Sequence, residues 1–349
     1  MRDRAFLSIC ALVSLRYEEN SLLPWLAWHS ILGFELFFIY IDHRNAALAG
    51  DGGEWKSNTT RGMLQRMKNV TVFSMQDLGL RDQSAQLAHC AFVARKHTTW
   101  MASWDIDEVP ALGPPTIVAS GVASQREATP AAGNSRSGSS HPAVQNSVAR
   151  LLRALPGGTT GIPVPRIAFD CAGRLEQLPR GAIEYSTYTR RHCGFLREHT
   201  GKVIWRADGV GVGSGVRPLN PHDLVASRRS ALRDPDGKEA GLTRRPESNN
   251  DLKAGASVAV IEDEVALTTA ATALRLHHYL SRSEEECERK RADARGNMSL
   301  FGWRSERTWG GEHACRCTTA PACKAARFAD LSVAQHSHLI REVVTRPTA

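Results

Sequence analysis

No stretch of the 349-residue chain reaches the roughly 18 consecutive apolar residues that a membrane-spanning helix requires. There is no phosphate-binding loop, no G-x-G-x-x-G turn and no G-x-S-x-G elbow. Those absences argue against P-loop nucleotide hydrolysis, dinucleotide chemistry and the α/β hydrolases. Aromatics make up only 7% of the chain and do not alternate with cations, and no nucleic-acid-binding motif occurs, so nucleic acid is not an expected partner. Paired C-x-x-C frames are also missing, which removes the strongest zinc signature.

What is present is an ordinary globular composition, 42% hydrophobic and 23% charged. The formal charge of +8 suits an anionic ligand such as a nucleoside diphosphate. The start, MRDRAFLSICALVSL, has two arginines before an apolar stretch, as a signal peptide does. It lacks a small-residue cleavage site, and we read it as a buried first strand. Eight cysteines permit disulfides without establishing them. Cys315, Cys317 and Cys323 lie close together, and disulfide, zinc and free thiol all stay open for them. Asn58, Asn69 and Asn297 begin Asn-X-Ser/Thr triplets, weak support for a secretory compartment.

The first 110 residues alternate between apolar runs and helical patterns. Strands are expected at 5–15, 34–42, 70–75 and 99–107. Helices are expected from Ser21 to Gly33, at 60–68 and at 84–97. This alternation implies an α/β fold, a mostly parallel sheet flanked by helices. Residues 113–147 are rich in Gly, Ser, Ala and Pro and read as a disordered insertion. A helix at 148–155 follows, then strands within 161–169 and 181–191. Residues 226–255 read as a loop and Gly209 to Gly215 as a flexible glycine-rich loop, and 271–280 precedes a charged helix over 283–295 begun by Ser283. The division is a catalytic domain over 1–300 and a cysteine-containing extension over 301–349.

Ligands of such sheets bind beyond the carboxyl ends of the strands. Three of those ends carry acidic groups: Glu18 after the first, Asp42 at the second, Asp105 and Asp107 at the fourth. On a strand Asp105 and Asp107 point the same way, with Ile106 packed behind. Crowded carboxylates repel unless a cation neutralises them, and oxygen ligands suit Mg²⁺ or Mn²⁺ shared with substrate phosphates. The competing reading is an acidic loop on an ordinary surface. Glu108 either joins the site or only shapes the loop. His277 and His278 offer imidazole ligands, or simply cap a strand.

Four blocks in order resemble glycosyltransferase family 92 and related family-2-like enzymes of GT-A fold. The first is Arg16-Tyr17-Glu18 through Trp25 and His29, then Leu32-Gly33 and FFIYID. The second is Gln86 to Cys90, then Trp100 and Asp105-Ile106-Asp107-Glu108. The third is Phe169 to Gly173, Pro179 to Tyr188 and Gly201-Lys202. The fourth is His278-Tyr279, Arg282-Ser283, Glu284-Glu285 and Lys290. Tyr17, Pro24 and Val109 depart from the family pattern. The resemblance implies a Rossmann-like GT-A fold and an inverting transfer of a sugar, galactose being the leading guess, from a UDP-sugar donor to a glycan acceptor, with Mn²⁺ (or Mg²⁺) as cofactor. It also implies a Golgi or secretory location, with membrane association through an anchor absent from this chain. Carried across, Asp105, Asp107 and His278 fall on the metal–diphosphate site. Glu18, Asp42 and Lys202 fall on the donor side, and His222 lies in the same loosely aligned block as Lys202. Inversion needs a carboxylate base, for which Asp170 and Glu184 are the candidates. Two other readings share these residues: a non-catalytic nucleotide-sugar or carbohydrate binder, and a metal-dependent nucleotidyltransferase or phosphoesterase.

Overall fold

The computed structural model describes residues 4–42, 58–112, 117–119, 147–168, 201–207, 216–218, 224–227, 231–233, 235–237, 243–245, 256–260, 273–279, 285, 328–330 and 338–340. The expected helix at 283–295, the strands at 181–191, the glycine-rich loop, Asp170, Glu184, His222 and the Cys315–Cys323 cluster lie outside the described residues, apart from Glu285.

The N-terminal half follows the alternation read from the sequence. Strand β1 (Ala5–Ser14) leads into helix α1 (Leu15–Ile31), and β2 (Leu36–Asp42) returns parallel to β1. Helix α2 (Asn58–Arg66), β3 (Val70–Ser74), helix α3 (Gln83–Ala94) and β4 (Thr98–Ser103) complete the run. After β5 (Glu108–Leu112) and β6 (Ile117–Ala119) comes helix α4 (Val148–Ala154). Then follow β7 (Thr159–Val164), β8 (Arg166–Ala168), β9 (Lys202–Arg206), β10 (Val216–Pro218), β11 (Leu224–Ser227) and β12 (Ala231–Leu232). The last are β13 (Thr243–Arg245), β14 (Ala256–Val260), β15 (Leu274–His278) and β16 (Phe328–Asp330).

The main sheet has seven strands in the order β12-β7-β9-β4-β1-β2-β3. Strands β4, β1, β2 and β3 run parallel, whereas β9 is antiparallel to both β4 and β7. The result is a mostly parallel, mixed α/β sheet compatible with a Rossmann-like fold. Its period-two alternation sorts side chains onto two faces. Leu7, Ile9, Ala11 and Val13 of β1 and Phe37, Ile39 and Ile41 of β2 pack with Leu22, Trp25 and Leu26 of α1 and with Val148 and Leu152 of α4. The opposite face sets Cys10, Phe38, Tyr40 and Met101 against Leu87, Cys90, Ala91 and Ala94 of α3. Cys10 and Cys90 are joined by a disulfide there, tying β1 to α3 across a chain separation of 80 residues.

Three expectations change. Helix α1 starts at Leu15, not at Ser21. Ser14 is extended and serves as the N-cap residue, its N–H donating to Glu18 Oε2 at 2.7 Å, while Ser21 is buried inside the helix. The turn from strand to helix is so tight that no loop residues announce it. Residues 226–255 are not loop throughout, because they carry β12 and β13 and the end of β11. These pieces are only two to four residues long, too short to display alternation. Three residues of the Gly/Ser/Ala/Pro-rich segment form β6, which pairs antiparallel with β16. The rest of 113–147 lies outside the described residues.

Helix α1 ends as its sequence predicts. Gly33 has φ +93, and a Cβ there would stand 2.9 Å from Ala149 Cβ. Glycine is needed both for the left-handed turn and for the close approach of α4. No helix among the described residues is long and apolar enough to cross a membrane.

Candidate active site

The carboxyl ends of β1, β2 and β4 lie side by side, with Ser14 in register with Asp42 and Cys10 with Ser103. Glu18 sits one turn into α1, directly past the end of β1. Asp42 closes β2, nearly buried, and its Oδ1 accepts a hydrogen bond from Gln76 Nε2 at 3.0 Å. The structure therefore brings Glu18, Asp42 and the Asp105 segment to one edge of the sheet, as strand-end reasoning requires.

Alternation along a strand does not place Asp105 and Asp107, because β4 ends at Ser103. Asp105 to Glu108 is a tight turn closed by the Glu108 N–H donating to Asp105 O at 3.0 Å. Its two aspartates diverge to different partners. Asp105, 31% exposed, accepts Lys202 Nζ on Oδ2 at 2.7 Å and Gln83 Nε2 on Oδ1 at 2.9 Å. Asp107 meets His278, with Oδ1 3.6 Å from Nε2. The Tyr279 N–H donates to Asp107 O at 2.8 Å, so the backbone also fastens the turn to the end of β15.

Glu108 shapes this turn. It is fully buried, and its Oε2 accepts the Asp105 N–H at 2.9 Å and lies 3.3 Å from Lys202 Nζ. Its Oε1 accepts Arg166 Nη1 at 3.1 Å. Burial pushes the Glu108 carboxyl above the ordinary carboxylate range, while Lys202 draws it down, Asp105 lifts it and Arg166 draws it down. Burial also works against the Lys202 charge, but the Asp105 and Glu108 carboxylates outweigh it and hold the ammonium above the usual lysine range. Two cations and two carboxylates thus balance in a nearly closed interior, the arrangement that buried charge demands.

Position in the sheets explains who meets whom. Strand β15 lies between β5 and β8, with His278 opposite Glu108 on one side and Ala168 on the other. Lys202 opens β9 opposite Val164, two residues before Arg166. Strand β5 lies at the edge of its three-stranded sheet, where Pro110 is tolerated. Helix α1 holds that edge: Trp25 Nε1 donates to Glu108 O at 3.0 Å and Trp28 Nε1 to Pro110 O at 2.9 Å. One helical turn apart, the two indoles line up along the strand. Beneath them, buried His29 donates from Nδ1 to Trp25 O at 2.7 Å, and burial lowers its pKa to about 3.

Sequence reasoning misses Gln83 and Arg166. Gln83 opens α3 just after the capping Asp82 and looks like any polar first-turn residue. Arg166 does leave a trace, as one cation between prolines and apolar residues in IPVPRIAF. Among the described residues, no group of three His, Cys, Asp or Glu side chains is spaced to hold a metal ion. The Asp107–His278 pair offers a carboxylate oxygen and an imidazole nitrogen.

Over 101 residues the chain is 34% identical to a glycosyltransferase family 92 protein of Oryza sativa subsp. japonica. The matched stretch is 29% of this chain and spans only 16% of that relative's length. No protein-family model matches the chain. A single partial match at this identity supports a relationship to these glycosyltransferases only over that stretch, and a transferase only in general.

Proposed function

We propose that the chain is a glycosyltransferase that takes its sugar from a nucleotide-linked donor, UDP-sugar being the first to test, and delivers it to a glycan hydroxyl. The observation that carries this reading is the meeting of Asp107 with His278 beside a partly exposed Asp105, at the carboxyl edge of a Rossmann-like sheet. The partial likeness to a glycosyltransferase family 92 protein agrees with it.

The donor set fits a hard divalent cation that keeps sites open for phosphate oxygens, because Mg²⁺ and Mn²⁺ are commonly held by one or two side chains plus substrate. Asp107 and His278 would hold it, and Asp105 would belong to the same cation–diphosphate site. When bound, such a cation would supply Lewis-acid stabilisation of the departing nucleoside diphosphate. The remaining work belongs to the chain itself. Glu18 and Asp42 offer acceptors along the edge where the nucleoside would lie. Glu108 and Arg166 keep the 105–108 turn rigid. Asp170 and Glu184 stay the candidates for the base that takes the acceptor proton. A Golgi or secretory setting belongs to the same reading, and the buried Cys10–Cys90 disulfide accords with an oxidising compartment.

The test is calorimetric titration of UDP with and without Mn²⁺, followed by a panel of UDP-sugars with glycan acceptors. The reading expects Mn²⁺-dependent UDP binding and UDP release coupled to sugar transfer. Binding without turnover across the panel points to a non-catalytic binder. Release of nucleoside monophosphate or inorganic phosphate instead of UDP points to nucleotidyl transfer or phosphoester hydrolysis. Either result overturns the proposal.

A further inference from the structure

We infer that Lys202 is the positioning residue of this site, a buried ammonium that fixes the Asp105–Glu108 turn from beneath and does not itself touch the donor. This rests on the glycosyltransferase reading for its consequence, though not for its geometry. The Lys202 side chain is 0% exposed, so a ligand at the sheet edge meets Asp105 before it meets Lys202. Its Nζ lies 2.7 Å from Asp105 Oδ2 and 3.3 Å from Glu108 Oε2, bracing the first and last residues of the turn. Asp107 lies between them, and its direction toward His278 follows from how that turn is held.

The geometry divides the labour. Arg166 satisfies the far oxygen of Glu108 and Gln83 the other oxygen of Asp105, leaving Lys202 as the bridge between the two carboxylates. Without the bridge, Asp105 and Glu108 repel across the turn, and the Asp105 carboxylate loses its ion pair while keeping the Gln83 bond. The bridge also sets the local charge. Lys202 and Arg166 face Asp105 and Glu108, while Asp107 adds its charge to those of Glu18 and Asp42 along the same edge. Loss of the ammonium would upset that pairing beside the groups that meet a cation and a diphosphate. Lys202 is thereby a determinant of coupled cation and nucleotide binding.

Three variants test this: Lys202→Met, Lys202→Arg and the charge-balanced Lys202→Met/Glu108→Gln. The double variant keeps the measurement usable if Lys202→Met alone does not fold. Hydrogen exchange of the chain without ligand is read first. Removing the ammonium is expected to speed exchange at the Asp105, Glu108 and Tyr279 amides while the amides of β1 and β2 stay protected. Calorimetry with Mn²⁺ and UDP is read second. The expected loss is about 10- to 100-fold in affinity, as for other residues that orient a ligand without touching the ion. Lys202→Arg, which keeps the cation, is expected to recover part of it. Unchanged exchange at the three amides overturns the positioning role whatever the chain binds. Faster exchange with undiminished Mn²⁺–UDP affinity confines Lys202 to structure and overturns its part in binding. If even the unaltered chain fails to bind Mn²⁺–UDP while exchange responds as expected, the donor reading fails and the positioning role stands.

Discussion

His278 Nε2 lies 3.6 Å from Asp107 Oδ1, although one residue stands in a turn after the fourth strand and the other ends the fifteenth. The same turn and strand are joined independently by the Tyr279 N–H donating to Asp107 O at 2.8 Å. The backbone bond holds the fold of this corner whatever side chain sits at 107. The Asp107 carboxylate is therefore separable from the architecture that presents it, which makes it the cleanest point of attack on the proposed chemistry.

Asp107→Ala is expected to leave the melting transition close to that of the unaltered chain and to remove cation-dependent UDP binding. If the carboxylate helps to hold a Lewis acid worth several kcal/mol at the leaving group, transfer falls by about two orders of magnitude or more. Calorimetry and a UDP-release assay on the same preparation check both halves. A folded Asp107→Ala protein that keeps its metal-dependent activity sinks the assignment.

Arg166→Met is expected to act on stability instead. Glu108 loses one of its two cationic partners while buried; leaving a buried charge wholly unpaired costs about 3–5 kcal/mol, and Lys202, still 3.3 Å from Oε2, holds the loss below that. Urea denaturation should show a lower midpoint with an unchanged slope. Adding Glu108→Gln should recover part of the loss, since it removes the excess carboxylate and leaves Lys202 to Asp105. If the two substitutions simply add, Arg166 and Glu108 are not energetically coupled.

These two cases show what the sequence makes legible. The β1–α1–β2 unit, β3, α3 and β4 are readable because their apolar periods are long and clean. Acidic residues at the strand ends follow from the topology that those periods imply. The route by which Asp105 and Asp107 reach the edge is not readable. Alternation predicts two aspartates on one strand facing one site, whereas a turn closed by Glu108 sends them to Lys202 and His278. That turn depends on β5, a five-residue strand containing Pro110, which gives no strand signal. It also depends on Lys202 and Arg166, cations whose burial only the assembled sheets reveal. His278 is legible as a residue type that binds metals, but its meeting with Asp107 is set by the β5–β15 register.

His29 gives the chain an acid-sensitive core. Burial lowers its pKa from 6.5 to about 3, so the folded protein keeps it neutral while the unfolded chain protonates it near 6.5. Stability from this group is fully present above pH 6.5 and is lost as pH falls toward 3. The full span corresponds to about 4–5 kcal/mol. His29→Leu should flatten the acid limb of a stability–pH curve over that window. Parallel curves for the two proteins between pH 6.5 and 4 would mean that other groups set the acid limb.

The Cys10–Cys90 disulfide is expected to supply much of the cohesion between β1 and α3. Both cysteines are fully buried, and the cross-link closes a loop of 80 residues in the unfolded chain. The chain-entropy relation for a loop of that length gives about 4.5 kcal/mol at 25 °C. That is comparable with the whole net stability of many domains, about 5–15 kcal/mol. Cys10→Ala/Cys90→Ala should therefore lower the urea midpoint severely, and a reductant should shift the unaltered chain in the same direction. The reductant acts slowly under native conditions, because the bond is closed off between sheet and helix, and quickly once urea opens the fold. A double variant that melts with the oxidised chain would show that packing of Leu87, Ala91 and Ala94 against the sheet carries this interface without the cross-link.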